Sequence, residues 1–132
     1  MDIKNALEQA GGDVGKTLKT LKKHGASIAA KKASRETSQG LIETYTHMGR
    51  IGAMVEVNCE TDFVARNPEF KELVHELVLQ VASLDSDKPE DLLAMELIKE
   101  PSKTVQELIT EKIAKLGENI KIRRFCRYVL GG

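Results

Sequence analysis

The apolar residues of this chain recur with two periods, and each period predicts a different kind of element. Residues 51–58 alternate between apolar and polar side chains, which is typical of a strand with one buried face. Residues 41–46 form a second short run of strand character, and the turn residues 47–50 separate the two runs. The pattern therefore predicts a β-hairpin.

A helical stripe follows the hairpin. Its apolar residues fall at i, i+3, i+4, i+7, i+8 and i+11, and they are Phe70, Leu73, Val74, Leu77, Val78 and Val81. Before the stripe, Asn67 can cap a helix and Pro68 suits the first helical position, where no N–H is needed. We therefore expect a helix that begins at Pro68 and covers the sheet.

Two further helices are predicted in the second half of the chain. Residues 89–97 predict a short one, which begins near a proline. Thr104 and Glu107 have the spacing of a capping box at the start of the other, and Gly117 can close that helix.

A last strand is predicted over residues 119–129. Arg123 and Arg124 break its alternation and indicate a bulge. Strands separated by helices, with a hairpin first, give an α+β fold in which an antiparallel sheet packs with helices.

The N-terminal segment predicts two short helices. Residues 3–10 have helical spacing, and Asp13 can cap a second helix for which Gly25 is a suitable left-handed end. The predicted organisation has three parts, which are a small helical module at 1–25, a basic helical linker at 26–39 and an α+β core at 40–132.

Composition and charge narrow the classes of function. The chain has 132 residues, of which 41% are hydrophobic and 30% charged, with 20 basic and 20 acidic residues. This balance argues against wholesale binding to DNA or to an anionic membrane. There is no long apolar run and no secretory leader, so we expect a cytoplasmic protein. Cys59 and Cys126 are far apart, and we expect free thiols with a structural role.

Candidate chemical motifs are weak. Residues 10–17 fit a relaxed phosphate-loop pattern, but a helical segment precedes them where a buried strand would be needed. His24, His47 and His75 are dispersed, and no catalytic grouping with serine, cysteine or aspartate can be argued. We therefore expect no enzyme activity, no cofactor and no metal site.

One charge asymmetry is marked. Residues 16–35 contain seven lysines or arginines and no acidic residue. A solvated helical face explains this run, but the alternative is a docking surface for an acidic protein face or for ribosomal RNA.

The residues between the hairpin and the main helix carry the most specific signal. Phe63 lies on a polar corner, and the positions that could form a hydrophobic staple around an Asn67 cap, Arg66 and Lys71, are not apolar. Residues 58–67 resemble the T-D-F-V-A-[RK]-N segment of the elongation factor Ts family. The segments 26–33 and 115–124 resemble that family's linker and last core strand, in the same order along the chain.

The resemblance implies a guanine-nucleotide exchange factor that binds the GDP form of the translation GTPase elongation factor Tu and makes or breaks no bond itself. Asp62 and Phe63 match the pair that meets the GTPase, with Phe63 as the wedge and Asp62 as the polar anchor. The other implied contact or turn-shaping residues are Thr61, Val64, Arg66, Asn67, Leu116, Gly117, Met1 and Asp2. The competing hypothesis is a non-exchanging relative that binds protein or RNA through Lys16–Arg35.

The resemblance also implies an N-terminal module like a ubiquitin-associated domain, truncated here because the chain begins where the second of three helices should lie. The family's cores come as two related halves in one chain or as paired single copies. This chain has one copy, so a homodimer is implied, and Cys126 could lie near its axis.

Overall fold

The computed structural model describes the chain from Val14 to Gly132, with side chains from Lys23 onward in its first helix. The predicted helix over 3–10 and the residues Met1 and Asp2 lie outside this part of the chain. The elements in chain order are α1 (Val14–Lys32), β1 (Gln39–His47), β2 (Ile51–Cys59), α2 (Asp62–Ala65), α3 (Pro68–Ser83), α4 (Pro89–Ala94), α5 (Val105–Leu116) and β3 (Lys121–Val129).

The three strands form one antiparallel sheet in the order β1-β2-β3, so β2 is central and the other two are edges. The predicted bulge is confirmed. Glu56 pairs with Arg124 and the next residue, Val57, pairs with Ile122, which leaves Arg123 as the extra residue of β3.

Helix α3 covers one face of the sheet, as its apolar stripe predicts. All six stripe residues from Phe70 to Val81 are fully buried. They pack with the inward residues of β2, including Val55 and Val57, in one core cluster to which α5 and α4 also contribute. Helices packed on an antiparallel sheet confirm the predicted α+β fold.

The predicted helix ends are confirmed where a local cap specifies them. Asn67 Oδ1 accepts the Glu69 N–H at 2.8 Å, with Pro68 at the first position of α3. Thr104 and Glu107 form a reciprocal capping box at α5. Gly117 follows α5 with φ of 79°, in the left-handed region. These ends depend on residues close together in sequence.

The prediction that a helix ends at Gly25 is wrong, because α1 continues through it to Lys32. Helix α1 packs against α5. A Cβ placed on Gly25 would lie 3.8 Å from the Ala114 Cβ, an ordinary van der Waals distance. Gly25 therefore lies within the contact between the two helices, and tertiary packing overrides the roughly 1 kcal/mol that a helical glycine costs.

Helix α4 ends at Ala94, three residues before the predicted end. The buried Gln80 side chain forms hydrogen bonds with the backbone that follows α4. Its amide donates to the Glu96 carbonyl at 3.1 Å, and its oxygen accepts the Ile98 N–H at 2.7 Å. The segment is thereby held in a non-helical conformation.

Candidate functional site

The corner between β2 and α3 is a single helical turn, α2, with a side-chain cap before it and another after it. Thr61 precedes α2, and its hydroxyl oxygen accepts the Val64 N–H at 3.3 Å. Asn67 follows and caps α3. The corner is therefore a defined conformation and not an irregular loop.

Phe63 projects outward from this turn. Phe63 is 78% exposed, whereas the next two residues, Val64 and Ala65, are only 6% and 5% exposed. Successive helical residues point about 100° apart, so burial of these two neighbours fixes the direction of Phe63. An exposed phenylalanine is unusual, since this side chain normally enters a core.

The charged residues of the turn are exposed as well. Asp62 lies in the first turn of α2, where a carboxylate suits the positive helix end. Its Oδ2 is 3.4 Å from Nη2 of Arg66, and the Arg66 Nε donates to the Asp62 carbonyl at 3.4 Å. The Asp62 carboxylate, in the residue before Phe63, is therefore restrained only weakly by its exposed ion pair with Arg66.

A carboxylate from a distant part of the chain holds the start of the corner. Glu118 Oε1 accepts the backbone N–H groups of Glu60 and Thr61 at 3.1 and 3.0 Å. Its Oε2 accepts the Thr61 hydroxyl at 2.7 Å. Hydrogen bonds to a charged acceptor are stronger than neutral ones, so Glu118 ties the segment after α5 firmly to the corner.

Glu60 and Asn119 complete the connection in the opposite direction. The Asn119 N–H donates to Glu60 Oε2 at 2.6 Å. The Asn119 side-chain amide, in a residue only 2% exposed, donates to the carbonyls of Ala33 and Arg35 at 3.3 and 2.9 Å. Arg35 in turn lies 3.7 Å from Glu60 Oε1. Three segments meet here, from the end of α1, the end of β2 and the start of β3.

Leu116 and Gly117 are brought near the corner because Glu118 follows them directly. Leu116 is half-buried and packs against the core, whereas Gly117 is exposed. A Cβ built on Gly117 would meet nothing within 4 Å, so its surroundings are open. Met1 and Asp2, the other implied contacts, lie outside the described residues.

Cys59 lies beneath the corner as a structural thiol. It is fully buried, and its Sγ donates to the Thr61 carbonyl at 3.2 Å. Burial, with the nearby Glu118 carboxylate, raises the pKa of Cys59 to about 11. The group is therefore a neutral thiol and a poor nucleophile.

Residues 14–132 were compared with the requirements of a metal cluster and of a membrane-spanning helix. No group of three or more histidine, cysteine or acidic side chains in that range could hold a metal ion. Within the same range, no helix is both long and apolar enough to cross a bilayer. In the basic run before β1, Lys31 and Arg35 are both exposed, and the Arg35 guanidinium also lies 3.7 Å from Glu60.

Sequence reasoning did not find α2, Glu118, Glu60 or Asn119. For α2 a signal existed, since Thr61 before Asp62 is a suitable cap and first-turn acid. For the other three no local spacing could have served, because the contacts between the corner and Glu118 or Asn119 span 57 to 59 residues.

Comparison with known proteins agrees with the resemblance of the corner. The family model described as Elongation factor TS matches residues 60–131. An elongation factor Ts of Rubrobacter xylanophilus is 41% identical, over 98% of this chain and 90% of its own length. One of Thermodesulfovibrio yellowstonii is 38% identical, over 99% and 88%. One of Aquifex aeolicus is 48% identical, over 97% and 46%. The chain belongs to the elongation factor Ts family.

Proposed function

We propose that this chain is a guanine-nucleotide exchange factor that promotes GDP release from elongation factor Tu. Family membership makes it a translation elongation factor. The single observation that carries the finer proposal is Phe63, an aromatic residue that is 78% exposed on a capped helical turn. The proposal places the protein in the cytoplasm, where a translation factor meets its GTPase.

In this proposal Phe63 acts as a wedge. Burial of a phenylalanine side chain in a partner pocket contributes about 1.5–3 kcal/mol from area alone. This is enough for an interface hot spot. The ring needs little reorganisation, because Val64 and Ala65 hold the turn from inside. Asp62, the exposed residue before Phe63, is the polar anchor.

The remaining corner residues have supporting roles. Thr61 and Asn67 cap the two helices, and Arg66 pairs with Asp62. Leu116 and Gly117 provide a second contact next to the corner, and Met1 with Asp2 a third. No covalent chemistry is needed, so the chain is not an enzyme in this proposal.

Exchange then follows from thermodynamic linkage. If the factor weakens the affinity of the GTPase for nucleotide, nucleotide weakens the affinity for the factor by the same ratio. A ring that enters the GTPase and moves residues of its nucleotide site would weaken nucleotide binding and so satisfy this condition. GTP entry would complete the cycle by displacing the factor.

The test is release of a fluorescent GDP analogue from elongation factor Tu. We expect the wild-type chain to accelerate release and Phe63→Ala to lose most of that acceleration. Ile98→Ala is the matched control, because Ile98 is also apolar and 56% exposed but lies on the segment after α4. It should retain full activity.

Two results would contradict the proposal. Equal release rates with wild type and Phe63→Ala would mean that the ring does not act on the GTPase. Salt-sensitive RNA retention without any effect on GDP release would support the non-exchanging alternative, which uses Lys16–Arg35.

We further propose that two copies pair through the sheet face that α3 leaves uncovered. That face carries exposed Ile42 and Met54, with Cys126 opposite Met54 on the edge strand β3. The described protein offers no helix to cover these apolar side chains. A second copy of the same face would bury them.

Sedimentation at micromolar concentration tests the pairing. We expect a dimer for wild type and a monomer for Met54→Lys, which places a charge in the proposed interface. Lys99→Met changes an exposed residue away from this face and serves as the control. A complex with elongation factor Tu that contains one copy of this chain would overturn the dimer.

A further inference from the structure

Glu118 and Asn119 are consecutive residues whose side chains hold two different parts of the molecule. The Glu118 carboxylate binds the start of the Phe63 corner, at Glu60 and Thr61. The Asn119 amide binds the end of α1, at the carbonyls of Ala33 and Arg35. The backbone of one dipeptide therefore links α1 to the corner.

The end of α1 needs such a tie. Between the end of α1 and the start of β1, the backbone makes two turn-type hydrogen bonds, from the Ala33 N–H to the Ala30 carbonyl and from the Arg35 N–H to the Lys32 carbonyl. The carbonyls of Ala33 and Arg35 both face the Asn119 amide group. A buried asparagine is costly unless its donors are used, and here both bonds of the amide group go to this one turn.

We infer that Asn119 is a positioning residue that sets the direction of α1 relative to Phe63. The inference rests on the proposed function for its purpose, since a GTPase engaged by Phe63 meets α1 in one orientation only when α1 is fixed. A contact between the GTPase and α1 then forms as an intramolecular event, with no further loss of orientational freedom.

Other contacts do not replace this tie. The Arg35 guanidinium lies at 3.7 Å from Glu60 with its side chain half exposed, so the pair is weak. Helix α1 also packs against α5, with Gly25 next to Ala114, and this packing holds the two helices side by side. The hydrogen bonds from Asn119 add a directional restraint at the end of α1.

The test variant is Asn119→Asp. It keeps the size of the side chain and leaves the backbone N–H bond to Glu60 intact, but it sets a carboxylate against two carbonyl oxygens. Asn119→Ala removes the same two bonds without adding a buried charge, and it replaces Asn119→Asp if the latter melts below the assay temperature. Glu118→Gln is the matched comparison, because it weakens the corner and leaves the α1 tie in place.

The direction of α1 can be measured without any partner. Spin labels at Ser27→Cys on α1 and Lys71→Cys on α3, both exposed sites, in a Cys126→Ser background, report the distance between the helices. We expect one narrow distance distribution for the parent and for Glu118→Gln, and a broad or shifted one for the Asn119 variants. An unchanged distribution would overturn the inference, as would global unfolding of both Asn119 variants.

GDP release gives the functional half of the test, with the factor concentration varied. For the Asn119 variants we expect the half-saturating concentration to rise roughly tenfold, the size expected for losing one or two hydrogen bonds, with the limiting rate retained. Glu118→Gln should instead lower the limiting rate. If the Asn119 variants lower the limiting rate as much as Glu118→Gln does, Asn119 acts on the Phe63 corner and not on the direction of α1, which would contradict the inference. If the parent accelerates nothing, the proposed function fails while the distance measurement still decides the positioning.

Discussion

The Thr61 hydroxyl donates to Glu118 Oε2 at 2.7 Å across 57 residues of sequence, while its oxygen accepts the Val64 N–H. One side chain thus caps α2 and joins it to the segment after α5. Because Phe63 lies within α2, the same contact determines how the ring is presented.

Replacement of Thr61 by valine should therefore damage both stability and exchange. Thr61→Val keeps the shape but removes a cap and a charge-assisted donor, so we expect a loss of about 1–2 kcal/mol in the free energy of unfolding. Urea denaturation measures it. Thr61→Ser retains the hydroxyl and is the control. If valine and serine unfold at the same urea concentration, the hydroxyl contributes nothing to the corner.

Several elements could be predicted from the sequence because neighbouring residues specify them. The α3 stripe, the Asn67 cap and the capping box of α5 are all contained within a few turns of chain. The bulge at Arg123 was visible because two adjacent arginines interrupt a period of two. Local patterns of this kind need no knowledge of the tertiary fold.

The remaining features depend on contacts that the sequence does not display. Gly25 has the properties of a helix end, but α1 continues through it and packs against α5 beside Ala114. Glu118 and Asn119 lie where the sequence predicts only the approach to the last strand and its first residue, and their partners lie 57 to 86 residues away. Phe63 could be located at the corner, but its exposure required the burial of Val64 to be known.

Gly40 should be intolerant of any side chain. It has φ of 151° in β1, and a Cβ there would lie 2.1 Å from the Val57 carbonyl oxygen of the central strand. Relief would require the two strands to separate, so we expect Gly40→Ala to lose about 2–4 kcal/mol of stability in thermal or urea unfolding.

Gly52 provides the control for this prediction. It lies in β2, and a Cβ built there meets nothing within 4 Å. Gly52→Ala should stay within about 1 kcal/mol of wild type, with either sign. Similar losses for both variants would mean that general strand propensity, and not the contact with Val57, limits position 40.

Glu69 should make stability depend on pH in the acid range. Its Oε1 lies 2.6 Å from the Lys115 ammonium and 3.1 Å from that of Lys112. Hydrogen bonds from Lys115 first, and Lys112 second, hold the pKa of Glu69 below its ordinary value. The resulting stabilisation is fully present above the unfolded-state pKa of about 4.3 and is lost as pH falls through the lower folded-state pKa.

Unfolding of Glu69→Gln across pH 2–7 measures this contribution. The variant should be less stable than wild type near neutrality, and the difference should shrink toward zero in acid and in high salt. Glu36→Gln, at an exposed site, should show no comparable change. A difference between wild type and Glu69→Gln that is constant over the whole pH range would contradict the assignment to these ion pairs.

The two thiols should react at very different rates. Cys126 is exposed, whereas Cys59 is fully buried with its pKa raised to about 11. At pH 8 only roughly one Cys59 thiol in a thousand would be ionised, even before its burial slows the reagent. A chromogenic disulfide should therefore modify one thiol per native chain quickly and both in denaturant. Cys126→Ser should abolish the fast phase.

The same fast phase reports on the proposed pairing of two copies. Cys126 faces the uncovered side of the sheet opposite Met54, so a second copy there would shield it. The fast phase should slow as protein concentration rises, and Met54→Lys should remove that dependence. If the reaction rate of Cys126 does not depend on protein concentration, the sheet face is open to solvent and the dimer proposal is wrong. The slow reaction of Cys59 would still test the burial of that thiol beneath the corner.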